Sequence, residues 1–261
     1  MSTQTIQGQL WSTAPTDWAN HFEPWFLPIY TEVLEKFKLN DAHVLLDAGC
    51  GSGLFSHMAI KNGAQVIGID AAPGLLEIAR ERNPDHIFLE EDLEGLVFAD
   101  ASFDFVVAFN SLQYAGSFEK ALEEAVRVLK PGGKLALAIW DKPENSDAVH
   151  VLKAISSLLP PPLPGTPGPF ALSEDGRIEA ACKLAGLHVE TKQVIACPFV
   201  YKSLNEGVKS FIGTGPAAAA LNSNREEVVI DAITNALAPF KLADDIHFMV
   251  NKYLLFVATK L

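Results

Sequence analysis

The sequence predicts an α/β protein with a seven-stranded, mostly parallel sheet and helices on both faces. Three observations predict it. Short apolar runs alternate with helical stretches between residues 43 and 140, in units of roughly 25 residues, the rhythm of strand–helix–strand crossovers. A loop carrying glycines at 49, 51 and 53 joins the first of these runs to the helix that follows. Two further apolar runs, after residue 187 and after residue 245, raise the strand count to seven. Right-handed crossovers then leave few topologies.

Along the chain, residues 1–23 show no clear periodicity, although Trp11 and Trp18 stand out. Pro24–Lys38 reads as a helix, with Phe26, Ile29, Tyr30, Val33, Leu34 and Phe37 on one stripe. His43–Asp47 is a buried strand. Leu54–Asn62 is a helix stopped by Gly63. Gln65–Asp70 is the second strand. Pro73–Arg82 is a helix with Leu75, Ile78, Ala79 and Arg82 along one face. Ile87–Glu90 and Phe103–Asn110 are the third and fourth strands. Phe118–Leu129 is strongly amphipathic and is ended by Lys130-Pro131-Gly132-Gly133, since proline cannot continue a helix. Lys134–Trp140 is the fifth strand.

Beyond Trp140 the rhythm loosens. Asp147–Leu159 is expected to be helical, Pro160–Pro169 a stiff loop, and Ser173–Ala185 a helix closed by Gly186. His188–Val200 and Ile246–Thr259 are each read as one strand, and Leu204–Phe240 as mostly helical. The whole, 1–261, is read as a single domain. Its core is 40–140 with 173–200 and 246–259, and a helical lid comes from 1–38, 141–172 and 203–240.

The net charge of −12 disfavours nucleic acid and anionic membrane surfaces as partners, because both need a basic face. Three widely spaced cysteines, Cys50, Cys182 and Cys197, give neither a disulfide framework nor metal-ligand spacing. That pattern suits a reducing, cytoplasmic compartment. Met1–Trp11 lacks a signal-peptide layout, and no apolar run approaches the ~20 residues of a membrane span.

The chemistry concentrates in Leu46-Asp47-Ala48-Gly49-Cys50-Gly51-Ser52-Gly53. Glycines at a strand-to-helix turn let a ligand approach the backbone closely. A dinucleotide fingerprint would require a third glycine at position 54, which is Leu54 and argues against a nicotinamide-dependent oxidoreductase. The observed D-x-G-x-G-x-G pattern resembles motif I of class I S-adenosylmethionine (SAM)-dependent methyltransferases. Over residues 40–140 the sequence is similar to the ubiquinone/menaquinone-biosynthesis type, including the N-x-L-Q-Y run at 110–114.

That resemblance implies a Rossmann-like fold with its last strand antiparallel, and SAM as cofactor. It assigns cofactor contacts to Asp47, Gly49, Cys50, Gly51, Gly53, Asp70, Ala71, Asp92, Leu93 and Asn110. Asp70 would accept both ribose hydroxyls, Glu91-Asp92-Leu93 would face the adenine, and Asn110 the methionine end and acceptor. The implied reaction is in-line methyl transfer to a small, apolar or aromatic molecule. The alternative is a SAM-binding protein with other chemistry or a regulatory role. Expected partners are a small-molecule methyl acceptor and a possible homodimer.

A general base is needed only if the acceptor is protonated when it attacks. His21, Tyr114 and His150 are the candidates, since each lies in a segment that could cover the site or follows a strand's carboxyl end. Cys50 has no base or cation adjacent in sequence and reads as packing rather than as a nucleophile. His57 reads as packing or surface. In the resembled family N-terminal helices fold over the cofactor, so Trp11, Trp18, Trp25 and Tyr30 are candidate lid aromatics.

Overall fold

The computed structural model describes residues 2–160 and 170–261, so most of the expected loop Pro160–Pro169 lies outside the described residues. The strands are β1 (Val44–Ala48), β2 (Gln65–Asp70), β3 (Ile87–Glu90), β4 (Phe103–Phe109), β5 (Leu129–Trp140), β6 (Leu187–Ala196), β7 (Phe199–Tyr201), β8 (Lys241–Ala243), β9 (Ile246–Met249) and β10 (Lys252–Lys260). The helices are α1 (Gln4–Trp11), α2 (Pro15–Asp17), α3 (Leu27–Phe37), α4 (Leu54–Lys61), α5 (Pro73–Arg82), α6 (Phe118–Val128), α7 (Ala148–Ser156), α8 (Arg177–Leu184), α9 (Leu204–Ile212), α10 (Gly215–Leu221) and α11 (Glu226–Leu237). None of the described helices is long and apolar enough to cross a membrane.

Seven strands form the main sheet in the order β3-β2-β1-β4-β5-β10-β6. The pairs from β3 to β5 are parallel, and β10 runs antiparallel to both β5 and β6. The order reverses at β1, which has β2 on one side and β4 on the other. Ligand crevices in open sheets open at such a switch point, beyond the strands' carboxyl ends.

The central strands β1, β4 and β5 are apolar on both faces, and the register shows why. Leu45, Phe105, Val107, Ala136 and Ala138 pack into one core, which α3, α4 and the later helices cover. Their neighbours Leu46, Val106, Ala108, Leu135 and Leu137 point into a second core under α6 and α8. Successive side chains in a strand point to opposite faces, so a sheet buried on both sides reads as a continuous apolar run.

Three expectations are corrected. The run His188–Val200 is two strands, because Pro198 interrupts it and cannot donate to a ladder. Ile246–Thr259 likewise breaks after Met249. There the Asn251 carbonyl accepts from the Cys197 N–H (2.8 Å), and the Asn251 side chain accepts from the Ala148 N–H (2.9 Å). The freed ends β7 and β9 pair with each other, and β8 joins β9 on its other side, in a small second sheet. The helix expected to open at Ser173 starts instead at Arg177, after Gly176 in the left-handed region (φ +80°).

Most of residues 4–23 are helical despite their lack of pattern. α1 and α2 lead into a wide helical turn at Trp18–Phe22 and a tight one at Glu23–Phe26. Such short helices owe their order to tertiary packing rather than propensity. Together they make a strap across the carboxyl edge of the sheet. Gly213 sits so close that a Cβ there would stand 2.4 Å from the Trp18 backbone nitrogen, and one at Gly215 2.7 Å from Trp11 Nε1. The lid segment 203–240 therefore braces the strap from behind.

The strap's anchor is Glu23, which is 1% exposed. Its carboxylate accepts from Ser52 Oγ (2.5 Å), Arg82 Nη1 (2.8 Å) and the Leu54 N–H (3.3 Å). Arg82 also donates to the Ser52 carbonyl (2.9 Å). Burial pushes the Glu23 carboxyl up, while Arg82, Ser52 and Leu54 pull it down. Removing one partner of a buried pair strands the other. Arg82→Met should therefore cost on the order of 3 kcal/mol in urea unfolding. Adding Glu23→Gln, which removes the stranded charge, should recover a large part of that loss. Additive losses in the double variant would contradict the pairing.

Candidate functional site

At the carboxyl ends of β1, β2 and β4 the sheet and the strap flank a pocket that is partly open to solvent. Its floor comes from the glycine loop and the strand ends, and its roof from Thr3, Gln4, Gln7, Trp11 and Trp18 of the strap.

The glycine loop is shaped by backbone demands. Gly49, Gly51 and Gly53 all have left-handed φ (+83°, +54° and +75°). A Cβ on Gly49 would lie 2.2 Å from Ser111 Cβ, on the opposite wall. At Gly51 it would lie 3.3 Å from the indole nitrogen of Trp18. At Gly53 it would meet Ala79 (2.9 Å), so this glycine serves the contact between α4 and α5.

Asp70 ends β2 and holds the loop. Its Oδ2 accepts from the Gly51 N–H and its Oδ1 from the Ala72 N–H, both at 2.9 Å. Burial raises the Asp70 carboxyl, opposed by the backbone N–H groups of Ala72, Gly51 and Ala71. Each oxygen retains accepting capacity toward the pocket, which Asp70 lines with Ala71.

Past β3, the pocket wall is Glu91, Asp92 and Leu93. Past β4 it is Asn110, Ser111 and Tyr114, with Phe109 beside them. Asn110 takes a left-handed φ (+52°), a conformation that asparagine tolerates better than most residues. Its side-chain oxygen accepts from Gln113. Burial pushes the Tyr114 phenol up to about 12, against a hydrogen bond with Asn110. At neutral pH Tyr114 is thus a donor, not a base. Its ring meets Trp11 edge-on at 5.3 Å, and its carbonyl accepts from Thr3 Oγ1 (2.6 Å).

The structure therefore brings together at the pocket Gly49, Gly51, Asp70, Ala71, Asp92, Leu93, Asn110 and Tyr114. It leaves Asp47, Cys50 and Gly53 behind the loop. The Cys50 side chain packs with Leu76, Ala79 and Phe88, and burial raises its thiol well above the usual range. Asp47 is buried and accepts from Ser56 Oγ (2.6 Å).

His21 and His150 do not line the pocket. In the turn Trp18–Phe22, Trp18 and Phe22 face inward and His21 faces α9, 3.9 Å from Glu206 and 4.0 Å from Asp17. α7 packs through Ala148, Val151 and Ile155, which turns His150 toward Phe240 and a shallow groove elsewhere. No lining residue comes from 141–160, 170–172 or 203–240, so these lid segments do not face the pocket directly. Sequence reading missed Thr3, Gln4 and Gln7, which carried no periodic signal. It also missed the Glu23–Arg82 knot, whose one signal was an arginine on an apolar helix face.

Comparison with known proteins fits this geometry. Residues 46–137 match the methyltransferase domain family. A malonyl-[acyl-carrier protein] O-methyltransferase from Serratia marcescens is 42% identical over 109 residues, 40% of this chain and 42% of that protein. A demethylmenaquinone methyltransferase from Renibacterium salmoninarum is 38% identical over 99 residues, 38% and 42% respectively. The chain thus matches these relatives over about two-fifths of their length.

Among solved structures, a 4+2 cyclase, SpnF, superposes with a TM-score of 0.57 at 21% identity, over 89% of this chain and 79% of the cyclase. The 1,6-didemethyltoxoflavin-N1-methyltransferase of Burkholderia thailandensis, solved with S-adenosylhomocysteine bound, gives 0.53 at 14%, over 93% and 80%. Residues 46–137 thus match a methyltransferase domain, and the fold over most of the chain is one shared with solved methyltransferases.

Asp47 offers a test of how the loop is built. Burial pushes its carboxyl up to about 7, opposed by Ser56 and reinforced by Glu23 and Asp70. Between about pH 4 and pH 7 the folded protein then keeps a proton that the unfolded chain has lost, so stability falls as pH rises through that window. The full contribution is about 4 kcal/mol at most. Asp47→Asn should shrink the difference in urea-unfolding free energy between pH 4.5 and pH 7.5 relative to wild type. An unchanged difference would place Asp47 in water.

Proposed function

We propose that this chain binds SAM in the strap-covered pocket and transfers its methyl group to a small acceptor with an apolar or aromatic body. The observation that carries the reading is the union, in one pocket, of the glycine loop, Asp70 and a strap that shields them. In this reading Asp70 takes the ribose hydroxyls, Asp92 and Leu93 face the base, and Gly49 and Gly51 let the cofactor lie against the loop. The bound cofactor supplies a methyl group already activated on a sulfonium, whose departure leaves a neutral thioether.

The chain's own residues need then do little chemistry. Tyr114 and Asn110 orient the acceptor by hydrogen bonds, while Trp11, Trp18 and Phe109 exclude water and offer apolar walls. Proximity and orientation of this kind are worth roughly 7–11 kcal/mol. With His21 and His150 outside the pocket and Tyr114 protonated, the acceptor atom suits a nucleophile that needs no strong base. The names of the two relatives, one for demethylmenaquinone and one for a malonyl thioester carrier, bracket the acceptors to try first. The fold alone does not choose the reaction, as the cyclase neighbour illustrates.

Calorimetry should show SAM and S-adenosylhomocysteine binding, with no binding of NAD. Asp70→Ala should weaken SAM binding by about 1.5–3 kcal/mol, the worth of a charge-assisted hydrogen bond, in a protein that still folds. Incubation with a panel of quinols, phenols and carboxylic thioesters should generate S-adenosylhomocysteine. NAD binding without SAM binding would overturn the reading. SAM binding with no turnover on any acceptor would favour a non-methylating role.

A further inference from the structure

Trp18 is 8% exposed, yet its indole N–H has no hydrogen-bond partner among the described residues. A buried donor left unpaired costs about 1–3 kcal/mol, so such groups call for an explanation. Trp18 lines the pocket, and its nitrogen stands 3.3 Å from where a Gly51 Cβ would be. Its ring is fixed by stacking on Phe22 (4.8 Å) and by the edge of Trp11 (4.9 Å), so the N–H has a set direction. The charged group nearest this point is Glu23, whose Oε1 is 3.7 Å from the same Cβ position. Its Oε2 accepts from Ser52 and Arg82 and its Oε1 from the Leu54 N–H, and neither oxygen is hydrogen-bonded to the indole.

Within the reading above, on which this step rests, Asp70 and Asp92–Leu93 mark the nucleoside end of the pocket. Trp18, Gly49 and Asn110 then mark the other end. We propose that the Trp18 indole N–H donates to the carboxylate of the cofactor's amino-acid end, making a strap residue part of the binding site. The N–H then gains an anionic acceptor that this ligand carries and a bare nucleoside does not.

The test uses Trp18→Phe, which keeps an aromatic ring against Phe22 and Trp11 but removes the donor. Two ligands are titrated calorimetrically into wild type and variant: S-adenosylhomocysteine, and 5′-methylthioadenosine, which lacks the amino-acid end. The variant should lose about tenfold or more in affinity for S-adenosylhomocysteine, and bind methylthioadenosine within twofold of wild type. In wild type, the Trp18 indole N–H resonance should shift with S-adenosylhomocysteine and hold with methylthioadenosine. Equal S-adenosylhomocysteine affinity in the two proteins, or equal losses for both ligands, would overturn the assignment of Trp18 alone. Wild-type protein that bound neither ligand would overturn the cofactor reading itself, and this assignment with it.

Discussion

One buried carboxylate holds the working end of this molecule together. Glu23 lies in the strap, Ser52 in the glycine loop, Arg82 at the end of α5, and all three meet out of water. A lone ionised carboxylate in such a place would be very costly, and the guanidinium with its fixed donors is what makes it tolerable. The knot sets where the loop stands relative to the strap, and so sets the height of the pocket. Trp11 and Trp18 reach the ligand space from a chain segment that Glu23 pins down.

The loop itself is under negative pressure from its own acids. Asp47 is buried, and both Glu23 and Asp70 lie close enough to raise its cost of ionisation further. With Asp70, Glu91 and Asp92 in its wall and part of its surface screened from solvent, the pocket favours a ligand that brings positive charge, because low effective dielectric strengthens the attraction. A sulfonium is such a ligand, and its demethylated product is not. The same electrostatics would help the spent cofactor leave.

Much of this arrangement was legible in the sequence, for a physical reason. Gly49, Gly51, Asp70, Asp92, Asn110 and Tyr114 reach the site because each follows a parallel strand, and parallel strands all deliver their ends to one edge. Chain order is then enough to group them. Cys50, Gly53 and Asp47 share that stretch but point beneath it, a distinction of side-chain direction that residue order does not carry. Thr3, Gln4 and Gln7 come from a helix with no marked apolar face, and only packing against distant elements brings them in. Two signals were present and underused. Arg82 on an apolar face implied a buried partner, and Pro198 inside an apolar run implied that the strand ended.

The dependence of the strap on α9 and α10 also says something about how the molecule assembles. Ser210 Oγ donates to the His21 carbonyl across 189 residues of chain, and Phe22 packs edge-on against Phe211 at 5.9 Å. Helices as short as α1 and α2 do not hold their shape alone. At translation rates of about 5–20 residues per second, the strap would emerge roughly 10–40 s before the elements that brace it. Its tryptophans and phenylalanines would spend that interval without their final neighbours. The strap is thus braced well after it is made, and the pocket gains its roof only after the strands that form its floor, β1, β2 and β4, have been synthesised.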